Sequence, residues 1–391
     1  MGQSADVNAR CPHIALCACA CGIAFTLHAQ PIEPHGQASA WLTGNPEHPS
    51  LSQLGVRYVP DLLVEHAIDS GFSASMDLSL NAWGSSTYQE GKSSAYDGRV
   101  KLYRAWARFA SETFELRVGL QKITFGSALL FRPLMWFDQI DPRDPLQMTD
   151  GVYGVLARYY LLDNVNVWLW GLYGNNDPKG WETAPTEKGS VEYGGRAQTP
   201  LWTGELGITY HHRRADLGRS PLVAPSTPVS LAQSVPEDRV ALDGKWDLGI
   251  GAWFEAAMIR ELTDLPGFRY QRQWTVGADY TFGIGNGLYA ATEFFRNDFP
   301  RKPFGNASGQ EFSGLSLSYP LGILDVLSAI VYRDWTNRAW YRIATWQRKY
   351  DNWSFYLLAY WNPTSFQVFR PTNGASAFAG TGAQLTVVFN H

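Results

Sequence analysis

A regular alternation of apolar and polar residues decides the fold of this chain, and it is clearest in WTVGADYTF (274–282). Side chains that follow one another along a β-strand point to opposite faces, so Trp274 and Val276 lie on one face and Thr275 lies on the other. GIGNG (283–287) comes next. It resembles a phosphate-binding glycine loop, but a strand rather than a helix follows it, so it fits a tight turn better. The stretch therefore predicts a β-hairpin whose strands have one apolar and one polar face.

The same alternation recurs along the chain, for example in FELRVGLQ (114–121), ELGITYH (205–211) and GAQLTVVF (382–389). We count about 18 candidate strands, many of them roughly 10–14 residues long, whereas strands of soluble sheets usually have about five or six. The first strand is expected near Ala38–Gly44 and the eighth near Val191–Thr199. The apolar positions of the clearest strands are expected to face lipid; they are Leu116, Val118, Leu206, Ile208, Val276, Ala278, Leu385 and Val387.

Short and long connections alternate between these strands. Tight turns are expected at 69–70, 111–112, 162–164, 200–202, 247–249, 283–285, 321–322 and 350–351, and longer loops at 46–53, 87–97, 125–150, 175–189, 217–236, 298–309 and 362–375. This pattern is typical of outer-membrane barrels, which have short periplasmic turns and longer extracellular loops. The sequence therefore predicts an all-β fold, a transmembrane antiparallel β-barrel of about 18 strands, with 16 as the nearest alternative. Such a barrel must be closed, because an open edge would leave unpaired backbone groups in hydrocarbon.

The composition excludes several other classes of protein. Only 17% of the 391 residues are charged and 14% are aromatic, which argues against disorder, coiled coil and collagen. The net charge of −4 argues against a nucleic-acid partner. After the first 29 residues no run of 18 apolar residues occurs, so no helical membrane span is predicted.

Residues 1–29 are interpreted as a signal peptide that is cleaved. The apolar stretch Ile14–Leu27 has the length of a signal-peptide core, and Leu27-His28-Ala29 forms a small-residue cleavage site. A lipoprotein leader that uses Leu16-Cys17-Ala18-Cys19 is the alternative. All four cysteines lie in this leader, so the mature chain, residues 30–391, is expected to be a single barrel domain without disulfides.

Two segments resemble known outer-membrane proteins. GAQLTVVF (382–389) resembles the C-terminal β-signal of Gram-negative outer-membrane barrels, although Asn390 and His391 follow the final Phe. A second stretch resembles alginate-export-like and phosphate-selective-porin-like barrels. It consists of LRVGLQ (116–121) and the motifs FG (125–126), FRP (131–133) and DPRDP (141–145). These families usually have a second basic residue at the position of Leu120. The resemblance implies a bacterial outer-membrane location, contact with membrane lipid and lipopolysaccharide, and recognition of the C-terminal strand by the barrel-assembly machinery.

The 125–150 segment is the longest expected loop. In trimeric general porins the third extracellular loop folds inward and narrows the pore, and the resemblance implies the same for this one. Its candidate constriction residues are Arg132, Asp138, Asp141, Arg143 and Asp144. The aspartates invite a calcium interpretation, but their spacing matches no EF-hand, and Asp beside Pro is ordinary turn chemistry, so no metal site is predicted.

The alternation also places charged residues on the inner face of the barrel. Ten cations are expected there: Arg104, Arg108, Arg117, Arg158, Arg196, Arg213, Arg239, Lys245, Arg342 and Arg348. The expected inward carboxylates are Glu115, Glu192, Glu205, Asp243, Glu255, Asp279 and Glu293. The excess of cations runs against the net negative charge of the whole chain.

The hairpin that turns at 111–112 refines this count. It places Arg108 opposite Glu115, where the two charges neutralise each other, and it places Arg117 opposite Trp106, where a cation–π contact leaves the charge uncancelled. Arg158 on the next strand is expected at about the height of Arg117. Two unpaired guanidiniums at one depth are suited to carboxylate or phosphate groups. The alternative is that the lumen arginines pair with acids and only stiffen the wall.

Three functions are compatible with these patterns. We expect an outer-membrane porin for the passive diffusion of small polar solutes, with an anion pathway as its specific hypothesis. A non-conducting structural or docking barrel within an outer-membrane complex is the alternative, and a soluble exported carbohydrate-binding β-protein is the third. The sequence contains no convincing catalytic, cofactor or zinc motif, so neither an enzyme nor a cofactor is predicted. Assembly with further copies or with a partner protein is left open.

Overall fold

The computed structural model describes residues 35–47, 50–69, 71–220, 234–262, 269–364 and 378–391. Its strands are β1 (His35–Asn45), β2 (Leu51–Asp69), β3 (Phe72–Gln89), β4 (Ala95–Ser111), β5 (Phe114–Gln121), β6 (Val152–Tyr160), β7 (Asn166–Tyr173), β8 (Val191–Leu201), β9 (Gly204–Asp216), β10 (Ser234–Asp247), β11 (Gly251–Glu261), β12 (Tyr270–Phe282), β13 (Leu288–Asp298), β14 (Gly309–Pro320), β15 (Asp325–Asp334), β16 (Ala339–Lys349), β17 (Trp353–Trp361) and β18 (Thr381–Asn390). A short 3-10 helix, Leu217–Arg219, follows β9.

Each strand pairs antiparallel with the strands before and after it in the chain. β18 also pairs with β1 over eight positions, from Gln37 opposite Asn390 to Gly44 opposite Ala383. The sheet is therefore a closed barrel of 18 strands, which confirms the predicted fold and strand number. Closure satisfies the backbone hydrogen bonds of the two strands that would otherwise form an open edge.

The two ends of the barrel differ in their connections. The eight short connections lie at one end, where Gly36 and His391 also exchange two backbone hydrogen bonds of 3.0 Å. We call this end the short-turn rim and the opposite end the long-loop rim. Two of the connections at the long-loop rim are residues 122–151, which we call the crossing loop, and residues 174–190, which we call the second loop.

The outer face of the barrel is apolar, as the alternation predicted. Val118, Ile208 and Leu385 are each about half exposed, whereas Thr209 and Thr386, one position along, are buried. All eight predicted lipid-facing residues lie at these outward positions of their strands. The surface of the barrel wall thus has the apolar exterior that a hydrocarbon environment requires.

The inner face is not uniformly polar, because the crossing loop carries apolar side chains into the barrel. One cluster joins Phe125, Trp136 and Phe137 of the loop to wall residues such as Leu156 and Trp170. A second cluster lies against a different part of the wall; it joins Leu130 and Phe131 of the loop to Phe295, Phe312, Tyr332 and Tyr341. The crossing loop is therefore packed as part of the interior.

Several expectations lie outside the described residues: the signal peptide at 1–29 with its four cysteines, and parts of the 217–236 and 362–375 loops. No helix among the described residues is long and apolar enough to cross a membrane.

Candidate functional site

The crossing loop spans the lumen and is fastened to the opposite wall by two buried carboxylates. It leaves the sheet after β5, yet Glu293 on β13 accepts hydrogen bonds from the backbone N–H groups of Leu129 (2.5 Å), Leu130 (2.9 Å) and Phe131 (2.8 Å). Glu255 on β11 accepts two more, from Ala128 and from the N–H of Leu134 at 3.1 Å. Because β13 is eight strands away from β5 in an 18-stranded barrel, the loop reaches almost to the far side.

Apolar packing holds the same segment in place. The ring of Phe131 lies 5.7 Å from that of Phe295 and 5.6 Å from that of Phe312, and it is fully buried. Thr275 donates its hydroxyl to the carbonyl oxygen of Phe131 at 2.6 Å. This attachment supports the predicted inward fold of the loop.

The structure divides the five constriction candidates into two ion pairs and one further carboxylate. Arg132 holds Asp138 at 3.1 Å within the loop and also donates to the carbonyl of Phe125, so this pair fastens the loop to itself. Arg143 holds Asp141 at 2.7 Å. Both aspartates of the DPRDP motif accept a backbone N–H two residues ahead, which is the turn chemistry expected from the sequence.

Asp144 is the candidate that faces another wall of the lumen. Arg57 on β2 attracts its carboxylate, and Tyr356 on β17 is also within its electrostatic reach. Burial in the loop raises the pKa of Asp144 above its ordinary value, and the charge of Arg57 opposes this rise. A carboxylate of the loop and a guanidinium of β2 are thus close enough to attract each other.

The second loop is held inside the barrel by a buried network of charges. Arg213 and Arg239 both bind Glu237, each at 2.6 Å, and both also bind Glu182 of the loop, at 3.1 and 2.7 Å. All four side chains are almost completely buried. These two arginines were expected in the lumen, but their charges are cancelled in place.

Three arginines surround one carboxylate below the crossing loop, on the side of the short-turn rim. Glu115 lies 3.0 Å from Arg108, 3.1 Å from Arg117 and 3.4 Å from Arg158. The arginine side chains keep 30%, 19% and 18% of their surface exposed, whereas Glu115 is buried. We call this group the arginine station; its three cations exceed its one carboxylate.

Two indoles flank the arginine station. Arg117 lies over Trp106 at 4.6 Å and Arg158 lies over Trp168 at 3.9 Å. These contacts orient the guanidiniums without neutralising them. The contact between Arg117 and Trp106 is the one expected from the sequence.

The pairing around the station differs from the expected register. The turn lies at 112–113, because the hydroxyl of Ser111 accepts the N–H of Phe114 and β4 continues through Ser111. Arg108 is therefore opposite Arg117, and it reaches Glu115 diagonally. Arg158 is directly opposite Glu115 rather than level with Arg117. The expectation that Arg117 and Arg158 are unpaired is thus wrong, since both share the carboxylate of Glu115.

Arg104 and Arg196 also point inward, but they are buried against protein groups. Arg104 donates to the carbonyl oxygen of Thr149 in the crossing loop at 3.1 Å. Arg196 binds Asp243 at 2.8 Å and lies over the ring of Phe125 at 5.3 Å. Both arginines connect the wall to the loop and contribute little exposed charge.

Arg342 and Arg348 were expected in the lumen and lie on the outer face instead. On β16 the inward side chains are Tyr341 and Ile343, which are buried in apolar clusters, so the even-numbered residues point outward. The alternation misled because this part of the interior is apolar: Tyr341 packs in a cluster with Phe131 of the crossing loop, and Ile343 packs with Phe378. The rule that polar residues face the lumen therefore fails on this strand.

Sequence reasoning missed several charged residues of the inner wall, among them Arg57, Asp61, Asp77, Glu237 and Glu261. The exposed Leu54, Val56 and Tyr58 alternate with Arg57, which is buried, so the same pattern rule would have found that arginine. When these residues are added to the expected inward set, and Arg342 and Arg348 are taken out of it, the inward set that the structure describes has no excess of cations over carboxylates. The excess is local to the arginine station.

No family model and no curated protein matches this chain. Solved bacterial porins are similar to it. OmpF of Salmonella typhi, in a complex with daunomycin, gives a TM-score of 0.47 at 12% identity, covering 92% of this chain and 97% of that chain. An anion-selective porin from Comamonas acidovorans gives 0.47 at 11% identity, covering 92% and 99%. A mutant porin from Rh. blastica gives 0.44 at 14% identity, covering 92% and 100%. Because these TM-scores and identities are low, the closed barrel is established by the strand pairing of the chain itself and not by the similarity to porins.

Proposed function

We propose that this protein is an outer-membrane channel, and not an enzyme, through which small polar solutes diffuse passively. The main support is a closed barrel that has an apolar outer face and a crossing loop attached across its lumen. Exposed aromatic side chains near the short-turn rim, among them Tyr280, Phe282 and Trp353, suit a membrane interface. Extraction that requires detergent, and heat-modifiable mobility on gels, would test this location.

The wall formed by β1 to β4 supports a water-filled route. The side-chain oxygens of Ser39, Ser75 and Asn81 are buried and, within the described ranges, accept no hydrogen bond from the protein. A buried polar group without a protein partner usually binds an ordered water molecule. The inward Gln53, Thr87 and Gln384 add further polar groups to the same side of the lumen.

The arginine station supports a preference for anions. A solute that passes the crossing loop on this route next meets three partly exposed guanidiniums and one buried carboxylate. Guanidiniums remain charged at any physiological pH and offer forked donors to carboxylate and phosphate groups. The porin from Comamonas acidovorans that resembles this barrel is itself described as anion-selective.

The test is the reversal potential of single channels in planar bilayers under a salt gradient. We expect the wild type to prefer anions and the double variant Arg117→Ala, Arg158→Ala to lose most of that preference. The double variant Arg342→Ala, Arg348→Ala is the matched control, because it removes two positive charges from the outer face of the barrel. Cation selectivity of the wild type, or equal effects of the double variant and the control, would contradict the anion pathway.

One observation favours the non-conducting alternative. Both inward loops and two apolar clusters occupy the interior, and these clusters leave that part of the lumen closed to water. A folded barrel that gives no unitary conductance in bilayers would support a structural or docking role and would exclude the channel. The C-terminal strand β18, paired on both sides, would still be the segment recognised during assembly under either proposal.

A further inference from the structure

The hairpin of β15 and β16 carries a cluster of cations on the outer face of the barrel, at the long-loop rim. Arg333 and Arg342 lie on adjacent strands, and Arg338 lies in the connection between them. Trp340 and Trp335, which are 45% and 52% exposed, stand among them. We call these five residues the rim cluster.

The indoles hold the arginines in fixed positions. Arg333 lies 5.2 Å from the ring centre of Trp340 and 5.6 Å from that of Trp335, and Arg342 lies 5.7 Å from the ring centre of Trp340. Arg333 also donates to the carbonyl oxygen of Arg338 at 2.7 Å. Two guanidiniums are therefore fixed around one ring while part of their donor set stays available.

No carboxylate of the described residues forms an ion pair with the rim cluster. Among the residues that the structure describes, neither arginine of the two strands nor Arg338 forms an ion pair with Asp or Glu. Two other outward arginines at this rim behave differently: Arg272 and Arg296 share Asp298 at 2.8 and 2.9 Å, and Arg296 also binds Glu311. The rim cluster thus lacks the internal anion that its neighbours have.

An apolar surface begins directly below the cluster. Arg342 is opposite Val331, the next outward pair toward the short-turn rim is Ala329 with Ala344, and the pair after that is Leu327 with Trp346. The two alanines form a shallow strip between larger side chains. Cations above an apolar strip match a ligand that has an anionic head and hydrocarbon chains.

We propose that the rim cluster binds the phosphate group of a phosphorylated glycolipid in the outer leaflet, with an acyl chain along the alanine strip. This inference rests on the membrane location in the proposed function. Arginine suits phosphate because its planar fork donates two parallel hydrogen bonds, and tryptophan suits the headgroup layer because one part of its ring is apolar and the other is polar. The arginines that are already paired with Asp298 do not take part.

The test is native mass spectrometry of the folded protein in detergent, titrated with bisphosphorylated lipid A. Dephosphorylated lipid A with the same acyl chains and inorganic phosphate alone are the comparison probes. We expect one tightly held lipid A per barrel, and binding at least about tenfold weaker for either comparison probe. The double variant Arg333→Gln, Arg342→Gln should weaken lipid A binding by a similar factor, and the corresponding Lys variants should retain part of it.

Arg348→Gln is the control, since Arg348 lies on the same face of the same strand at the opposite rim and also sits over a ring, that of Tyr350 at 5.5 Å. Equal binding of dephosphorylated lipid, equal loss in the control, unchanged binding in the double variant, or equally tight binding of free phosphate would each overturn the proposal. Unitary conductance is measured on the same preparations. A barrel that binds lipid A selectively but does not conduct would refute the channel and leave this inference intact.

Discussion

Glu293→Gln tests whether the crossing loop controls the passage through the barrel. The carboxylate of Glu293 accepts four N–H groups: three from the loop backbone and the indole N–H of Trp253 at 2.9 Å. Each of its two oxygens takes two of them. In Gln one oxygen becomes an NH₂ group, which donates, so two N–H groups lose their acceptor whichever way the amide is turned.

The size of the effect follows from those two lost bonds. A hydrogen bond to a charged group contributes about 1.5–3 kcal/mol. The loop loses two such bonds if the amide nitrogen takes the place of the oxygen that binds Leu130 and Phe131, and one if it takes the place of the oxygen shared by Leu129 and Trp253. The substitution therefore weakens the attachment of the loop by roughly 1.5–6 kcal/mol. Glu255 and the packing of Phe131 remain, and they keep the barrel folded. We therefore expect the loop to detach part of the time, with larger and noisier unitary currents in planar bilayers than in the wild type.

Trypsin gives a second measurement on the folded protein. Arg143 is buried in the attached loop, so cleavage after it should be slow in the wild type and faster in Glu293→Gln. Glu205→Gln is the control, because it removes an exposed lumen carboxylate near the short-turn rim that does not contact the loop. If Glu293→Gln leaves both current and cleavage unchanged, or if Glu205→Gln alters them equally, the loop is not held as described.

Two further predictions concern the wall and the pH response. Leu385→Arg should destabilise the barrel by about 2–4 kcal/mol in a folding titration in lipid vesicles, because it places a charge on the lipid face. Gln384→Arg, on the inner face, should cost much less. Equal costs would mean that the register of β18 is wrong. Because burial raises the pKa of Asp144, the folded chain takes up this proton at a higher pH than the unfolded chain. Lowering the pH toward the ordinary aspartate pKa of 3.8 should therefore stabilise the attached loop. It also removes the negative charge that faces Arg57, so the anion permeability should increase. The variant Asp144→Asn should abolish this response to pH.

Local sequence patterns determined the architecture of this protein. Alternation is a property of a single strand, and the lengths of connections are visible in the chain, so the number of strands, their antiparallel order and the two rims could all be predicted. The outward positions of Val118, Ile208 and Leu385 follow from the same rule. The rule holds wherever lipid lies on one side of the wall and water or polar groups lie on the other.

Only the tertiary structure decided which charges act in the lumen. The turn at 112–113 lies one residue beyond the expected position, and this shift makes Arg108, Arg117 and Arg158 share Glu115. Register depends on which turn residue bonds to which backbone group, and the hydroxyl of Ser111 settles it here. The pattern of the two strands is compatible with both registers.

The crossing loop explains the remaining differences. Its resemblance to the third extracellular loop of trimeric porins implied an inward fold, but nothing in its sequence shows that Phe131 packs on β13 to β15 or that Glu293 binds its backbone. The loop presents an apolar surface to Tyr341, and Ile343 packs in a separate apolar cluster with Leu358, Tyr360 and Phe378, so both point inward and Arg342 points outward. Which side of a strand faces the interior depends on what fills that interior, and only contacts between residues far apart in the chain determine this.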